Sequence, residues 1–126
     1  MPNVLIFESD RSTADNLIHA FQNAGFSTRW LEYPPSDPAQ TVSELRPDVI
    51  TMDIIMRYMD GLRATQLIKQ DPRTKNVPLV IYSNIHSSDN IERGLSLGAL
   101  RYFVKTNVTP SELVTEIVKL LQYDRS

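Results

Sequence analysis

Five short apolar runs, each followed by a segment of helical periodicity, predict an α/β fold. The expected architecture is a doubly wound, five-stranded parallel sheet with helices on both faces. Two further observations support it. No linker or low-complexity stretch breaks the alternation, so the 126 residues read as one domain, 1–126. The runs Val4 to Phe7 and Val49 to Met52 are apolar without alternation, as strands buried on both faces are.

The elements follow in order. Val4 to Phe7 is the first strand. Ala14, Leu17, Ile18 and Phe21 recur at helical spacing, and Gly25 ends that helix. Thr28 to Tyr33 alternates weakly, as an edge strand would, with Trp30 packing that edge. In "PPSDP" Asp37 caps and Pro38 opens a helix through Leu45. Val49 to Met52 is the third strand and ends at Asp53. A loop holding Gly61 leads to a helix with Ala64, Leu67 and Ile68 inward. Leu79 to Tyr82 is the fourth strand, running into Ser83 and Asn84. Asp89 with Glu92 reads as a capping box for a helix ending near Gly98. Tyr102 to Val104 delivers Lys105. Thr109, Pro110 and Glu112 form a second capping box, and Leu113, Ile117 and Leu120 line the inner face of the last helix.

Composition removes several functions. There is no cysteine, so disulfides and thiolate metal sites are excluded. Thirteen basic and fifteen acidic residues give a formal charge of -2 without a basic run, which disfavours direct nucleic-acid binding. No apolar stretch approaches the roughly 20 residues of a membrane span, and no signal peptide opens the chain. A cytoplasmic location and no membrane partner are expected. His19 and His86 have no second ligand at metal spacing and are expected in solvent.

Ligands of doubly wound sheets sit beyond the carboxyl ends of the strands. Those ends carry Glu8, Ser9 and Asp10 on the first, Asp53 on the third, Ser83 on the fourth and Lys105 on the fifth. Carboxylates packed together raise each other's pKa unless a cation intervenes. Oxygen ligands with bound water suit Mg2+, which takes one or two carboxylates plus a phosphate. Lys105 and a hydroxyl could hold the remaining phosphoryl oxygens. The pocket looks built for a phosphoryl group on an aspartate. Asp10 has a second reading as the cap of the first helix, needing no metal. Both readings stay open, as do a strand-end serine at Ser83 and an ordinary half-buried aromatic at Tyr102.

With these residues in place, the chain resembles the receiver domain of two-component response regulators, of the single-domain chemotaxis-regulator type, over essentially its whole length. "RPDVITMDIIMRYMDG", Arg46 to Gly61, resembles that family's acceptor strand and loop, with Asp53 at the phosphoacceptor position. "VPLVIYSN" places Ser83 at the phosphate-sensing hydroxyl. "GALRYFVK" places Lys105 at the family's lysine and Tyr102 at its aromatic switch. The resemblance implies a flavodoxin-like strand order of 2-1-3-4-5. It also implies Mg2+ held by Glu8, Asp10, Asp53 and the backbone carbonyl of Ile55, and phosphate contacts from Ser83, Asn84 and Lys105. A histidine kinase or phosphotransfer protein would donate to Asp53. A downstream protein would read the surface of the fourth helix, fifth strand and fifth helix. Such a domain is a signalling module and not an enzyme, apart from slow self-dephosphorylation.

The sequence departs from the family pattern at several positions. Ser9 stands where a second acid usually follows the first, Arg57 where proline is usual, Asn84 where a small residue is usual, and Thr106 where a proline follows the lysine. These changes bear on metal affinity and phosphorylation rate more than on the fold. Ser9 motivates an alternative reading: a degenerate receiver that works by protein contact alone, independent of phosphorylation. "FESDRST" also resembles the first motif of haloacid-dehalogenase-type phosphatases. There the nucleophile position would hold Glu8, one methylene too long, so that alternative ranks below both.

Overall fold

The computed structural model describes residues 1–124. Five strands and five helices alternate: β1 (Asn3–Phe7), α1 (Arg11–Asn23), β2 (Ser27–Leu31), α2 (Pro38–Leu45), β3 (Val49–Met52), α3 (Gly61–Gln70), β4 (Leu79–Ser83), α4 (Ser88–Ser96), β5 (Arg101–Val104) and α5 (Pro110–Asp124). All neighbouring strands pair in parallel in the order β2-β1-β3-β4-β5. The expected doubly wound sheet is therefore the observed one.

The sheet separates two cores. Leu5, Phe7, Ile50, Met52, Leu79 and Ile81 face Val42 of α2 and Leu62, Ala64 and Ile68 of α3. On the other face Val4, Ile6, Val49, Val80 and Tyr82 meet Leu17 and Phe21 of α1 and Leu113, Val114 and Ile117 of α5. Adjacent residues of a strand point to opposite faces, so an unbroken apolar run serves both cores. β1, β3 and β4 lie inside the sheet and are buried almost throughout.

Boundaries depart from expectation where local chemistry decides them. β2 stops at Leu31 and not at Tyr33, because Pro34 and Pro35 lack the N–H groups a ladder needs. The cap of α4 is Ser87, whose side chain accepts from the Asn90 N–H, so the expected Asp89–Glu92 box is corrected. Asp89 lies in the first turn, where its charge favours the helix N-terminus. The Thr109–Glu112 box is present in both directions: the Thr109 N–H donates to Glu112 at 3.0 Å, and the Glu112 N–H to the Thr109 hydroxyl at 3.2 Å. Gly61, expected in a loop, is the first residue of α3, behind the cap Asp60.

Candidate functional site

The carboxyl ends of β1, β3, β4 and β5 converge on one pocket. Backbone hydrogen bonds fix its parts: the Asp53 N–H donates to the Phe7 carbonyl, and the Lys105 N–H to the Ser83 carbonyl, each at 2.9 Å. Glu8, Asp53 and Ser83 are all buried there. Lys105 reaches between the acids, with Nζ 2.8 Å from Glu8 Oε2 and 3.3 Å from Asp53 Oδ2. Asp53 Oδ1 accepts from the Ile54 N–H at 2.8 Å.

Asp53 is held from behind by α3. The Gly61 N–H donates to the Ile54 carbonyl at 2.7 Å, and a Cβ on Gly61 would lie 1.7 Å from the Asp53 carbonyl oxygen. Only glycine fits where the helix start touches the Asp53 backbone.

Two like charges in a buried site need a counter-charge, and Glu8 reports the tension. Burial first, then the hydrogen bond and charge of Asp53, push the Glu8 carboxyl up from 4.5 to about 7, against the pull of Lys105. The Lys105 ammonium also sits 5.9 Å from the centre of the Tyr82 ring.

Ser9 takes a part that its residue type does not announce. Its hydroxyl donates to Asp53 Oδ2 at 2.8 Å, and its N–H approaches the same oxygen at 3.4 Å. The serine supplies hydrogen-bond donors where a second acid would supply a charge. Its position just after β1, facing the end of β3, was the only sequence signal for this.

The Asp10 N–H donates to Glu8 Oε2 at 3.1 Å, but the Asp10 side chain stands apart from the cluster. It is exposed and caps α1, with Oδ2 accepting from the Thr13 N–H at 2.9 Å and the Thr13 hydroxyl at 2.7 Å. Those bonds hold its carboxyl below the usual range, the hydroxyl bond contributing most. Of the two open readings, the structure shows the cap.

Ser83 and Tyr102 are joined through the loop after β4. The Ile85 N–H donates to the Ser83 hydroxyl at 3.2 Å, and the Tyr102 hydroxyl donates to the Ile85 carbonyl. Tyr102 is thus already turned toward Ser83. Burial pushes its phenol up, with the Ser83 hydroxyl opposing. Asn84, Ile55 and Arg57 are exposed at the rim. There Tyr33 and Tyr58 pack edge to face, 4.9 Å between ring centres, with Tyr58 in the left-handed region at φ 69°. No peptide bond among the described residues is cis, that between Lys105 and Thr106 included.

The donor set accommodates a divalent ion only sparsely. Among the described residues no three His, Cys, Asp or Glu side chains gather at metal-binding spacing. Mg2+ needs no more than one or two carboxylates besides water and phosphate, and Glu8 with Asp53 meets that requirement.

Comparison with known proteins agrees with this geometry. The family model for the response regulator receiver domain matches residues 4–118. The response regulator protein VraR of Staphylococcus saprophyticus is 34% identical over 70 residues, 56% of this chain and 32% of that protein. The DNA-binding response regulator MtrA of Mycolicibacterium smegmatis is 28% identical over 114 residues, 90% of this chain and 48% of that protein. The chain thus spans a third to a half of the length of these curated relatives. Among solved structures, the receiver domain of a DNA-binding response regulator from Colwellia psychrerythraea superposes with a TM-score of 0.84 at 27% identity, covering 97% of this chain and 99% of that one. The chemotaxis protein CheY4 of Vibrio cholerae shares the fold, with a TM-score of 0.83 at 22% identity over 94% of this chain and 98% of its own. No helix among the described residues is long and apolar enough to cross a membrane.

Proposed function

Because the chain belongs to the response regulator receiver domain family, we propose that it is a phosphoacceptor, taking a phosphoryl group on Asp53 from a histidine kinase or a phosphotransfer protein. One observation carries the reading. The Asp53 carboxylate is buried, yet ringed by the donors Ser9, Ile54 and Lys105, with Ser83 at the end of the adjoining strand. Those donors are placed to contact incoming phosphoryl oxygens.

In the transfer, a carboxylate oxygen of Asp53 attacks phosphorus. The P–N bond of the donor phosphohistidine breaks, and the imidazole leaves, taking up a proton. Lys105 is placed to follow the charge, from the Asp53 carboxylate to the phosphoryl oxygens. Glu8 and Asp53, with the Ile55 carbonyl, would hold Mg2+, whose charge would offset that of the phosphoryl group. The bound phosphoryl group draws on the Ser83 hydroxyl, which now accepts from Ile85, and Ile85 in turn holds Tyr102. The surface of α4, β5 and α5 would change with it, and a downstream protein would read that change.

The experiment is intact-mass measurement after incubation with a small phosphodonor and Mg2+. The expected result is a gain of one phosphoryl group, absent in Asp53→Asn. A gain retained in that variant overturns the assignment. A second reading, a receiver working by protein contact alone, is favoured by Ser9, whose hydroxyl bonds Asp53 where a second acid would supply charge for a metal. No mass gain in the unaltered protein, together with partner binding unaffected by Asp53→Asn, would establish it.

A further inference from the structure

We propose that Trp30 is a positioning residue for the acceptor site, acting through the peptide between Glu8 and Ser9; the inference rests on the phosphoacceptor reading of Asp53. The indole N–H donates to the Glu8 carbonyl at 2.9 Å. β1 lies between β2 and β3, with Ile6 opposite Trp30 and Phe7 opposite both Leu31 and Met52. The ladder to β2 continues one step further, through the Glu8 N–H to the Leu31 carbonyl at 3.1 Å. β2 then ends, so no strand donor follows for the Glu8 carbonyl. Glu8 is 1% exposed, and a buried carbonyl without a partner is destabilising. The indole fills that place.

The consequence follows from peptide planarity. In a trans peptide the carbonyl and the N–H point in opposite directions from one rigid plane. Holding the Glu8 carbonyl toward β2 therefore aims the Ser9 N–H toward β3, where Asp53 Oδ2 lies 3.4 Å away. The Ser9 hydroxyl, carried on the same residue, meets that oxygen at 2.8 Å. Two of the donors on the acceptor carboxylate are thus set from the far side of the sheet. Trp30 touches none of the reacting atoms. It is half-buried, beside a cleft also lined by Leu31, Glu32, Tyr33, Pro35 and Thr41.

Trp30→Phe tests this, because it keeps an aromatic ring and removes the N–H. The chain has one tryptophan, so its indole N–H gives a single resonance. In the variant the amide resonances of Ser9 and Ile54 should move without any phosphodonor, while those of the α5 C-terminal half stay in place. Phosphorylation from a small donor should slow by roughly three- to tenfold, the factor expected for about 1 kcal/mol of lost hydrogen bonding. Combined with Ser9→Ala, Trp30→Phe should slow the rate less than it does alone, since the hydroxyl is already gone and only the N–H of residue 9 remains for it to position. In the otherwise unaltered protein the indole resonance should shift on Asp53→Asn, a measurement that does not depend on the Trp30 variant folding. Unmoved Ser9 and Ile54 amides, or fully additive rate effects, overturn the proposal. An indole resonance blind to Asp53→Asn does so too. If the unaltered protein takes up no phosphoryl group, the phosphoacceptor reading fails separately, and the donor-free resonances still decide whether Trp30 positions Ser9.

Discussion

The half of the sheet that carries Asp53 and the half that carries Tyr102 are built to different standards. β1 and β3 are enclosed, and α3 behind Asp53 buries Gly61, Leu62, Ala64, Thr65 and Ile68. α4 buries only Gly94, and β5 is nowhere fully buried. At about 25 cal/mol for each Å² of apolar surface withdrawn from water, displacing α4 costs far less than displacing α3. A nucleophile needs a fixed address, whereas a signalling surface needs two arrangements close in energy. Under the proposed function, the molecule separates these demands by strand.

Two glycines offer the largest test of that difference. Gly61→Ala drives a Cβ to 1.7 Å from the Asp53 carbonyl oxygen, a backbone atom with nowhere to go. Gly94→Ala meets side-chain atoms only, the tip of Ile81 (Cδ1) at 2.5 Å and Tyr102 Cδ2 at 3.3 Å. Urea denaturation should show a loss of about 3 kcal/mol or more for Gly61→Ala. For Gly94→Ala the loss should be about 1 kcal/mol or less, since alanine also favours the helix. Equal losses would mean that α4 is as firmly seated as α3.

Lys105→Ala strikes the junction between the halves. The ammonium is the cation between Glu8 and Asp53, and losing it leaves two buried acids facing each other. Glu8 can take a proton instead, which keeps the loss near the low end for a broken buried pair, about 3 kcal/mol. The pH dependence should change with it. In the parent the folded chain holds the Glu8 proton more tightly than the unfolded chain, so the stability contributed by Glu8 falls as pH rises from about 4.5 through about 7. Without Lys105 that carboxyl rises further, and the falling limb should extend to higher pH in urea midpoints. Coupling between phosphorylation and partner binding should also be lost, while the fold persists. A limb that stays in place would remove Lys105 from the account of Glu8.

Ser9 and Asp10 give the smallest effects and separate charge from capping. Ser9→Asp replaces a donor to Asp53 with a third acid. Without metal it should lower stability by about 1–2 kcal/mol, and with Mg2+ its Tm should rise more than that of the parent. Asp10→Ala removes only the cap on Thr13 and should lower Tm by roughly a few degrees, leaving Mg2+ affinity unchanged. Loss of Mg2+ affinity in Asp10→Ala would make Asp10 the ligand and Ser9 a spacer.

How far the sequence could be read follows the same division. Strands buried on both faces announce themselves as apolar runs, so β1, β3 and β4 were legible to within a residue or two, and Asp53 with them. The cap of α4 was misplaced because Ser87, Ser88 and Asp89 all suit a helix start, and their residue types do not rank them. The direction of a hydroxyl is not written in residue type either, which hid the bond from Ser9 to Asp53. The same holds for Tyr102, whose inward turn depends on the Ile85 carbonyl. Trp30 was legible as an edge aromatic, but its bond to Glu8 depends on where β2 stops, a boundary set by Pro34 and Pro35.

The most direct measurement is residue-resolved amide hydrogen exchange on the resting protein and again with a small phosphodonor and Mg2+. At rest, the amides of β1 and β3 should exchange only through global unfolding, while those of α4 and β5 exchange through cheaper local openings. With the donor, protection should change in residues 84–104 and leave the β1 and β3 ladders as they were. Uniform protection across the sheet at rest, or a donor-induced change confined to β1 and β3, would contradict the division between a fixed acceptor and a movable readout.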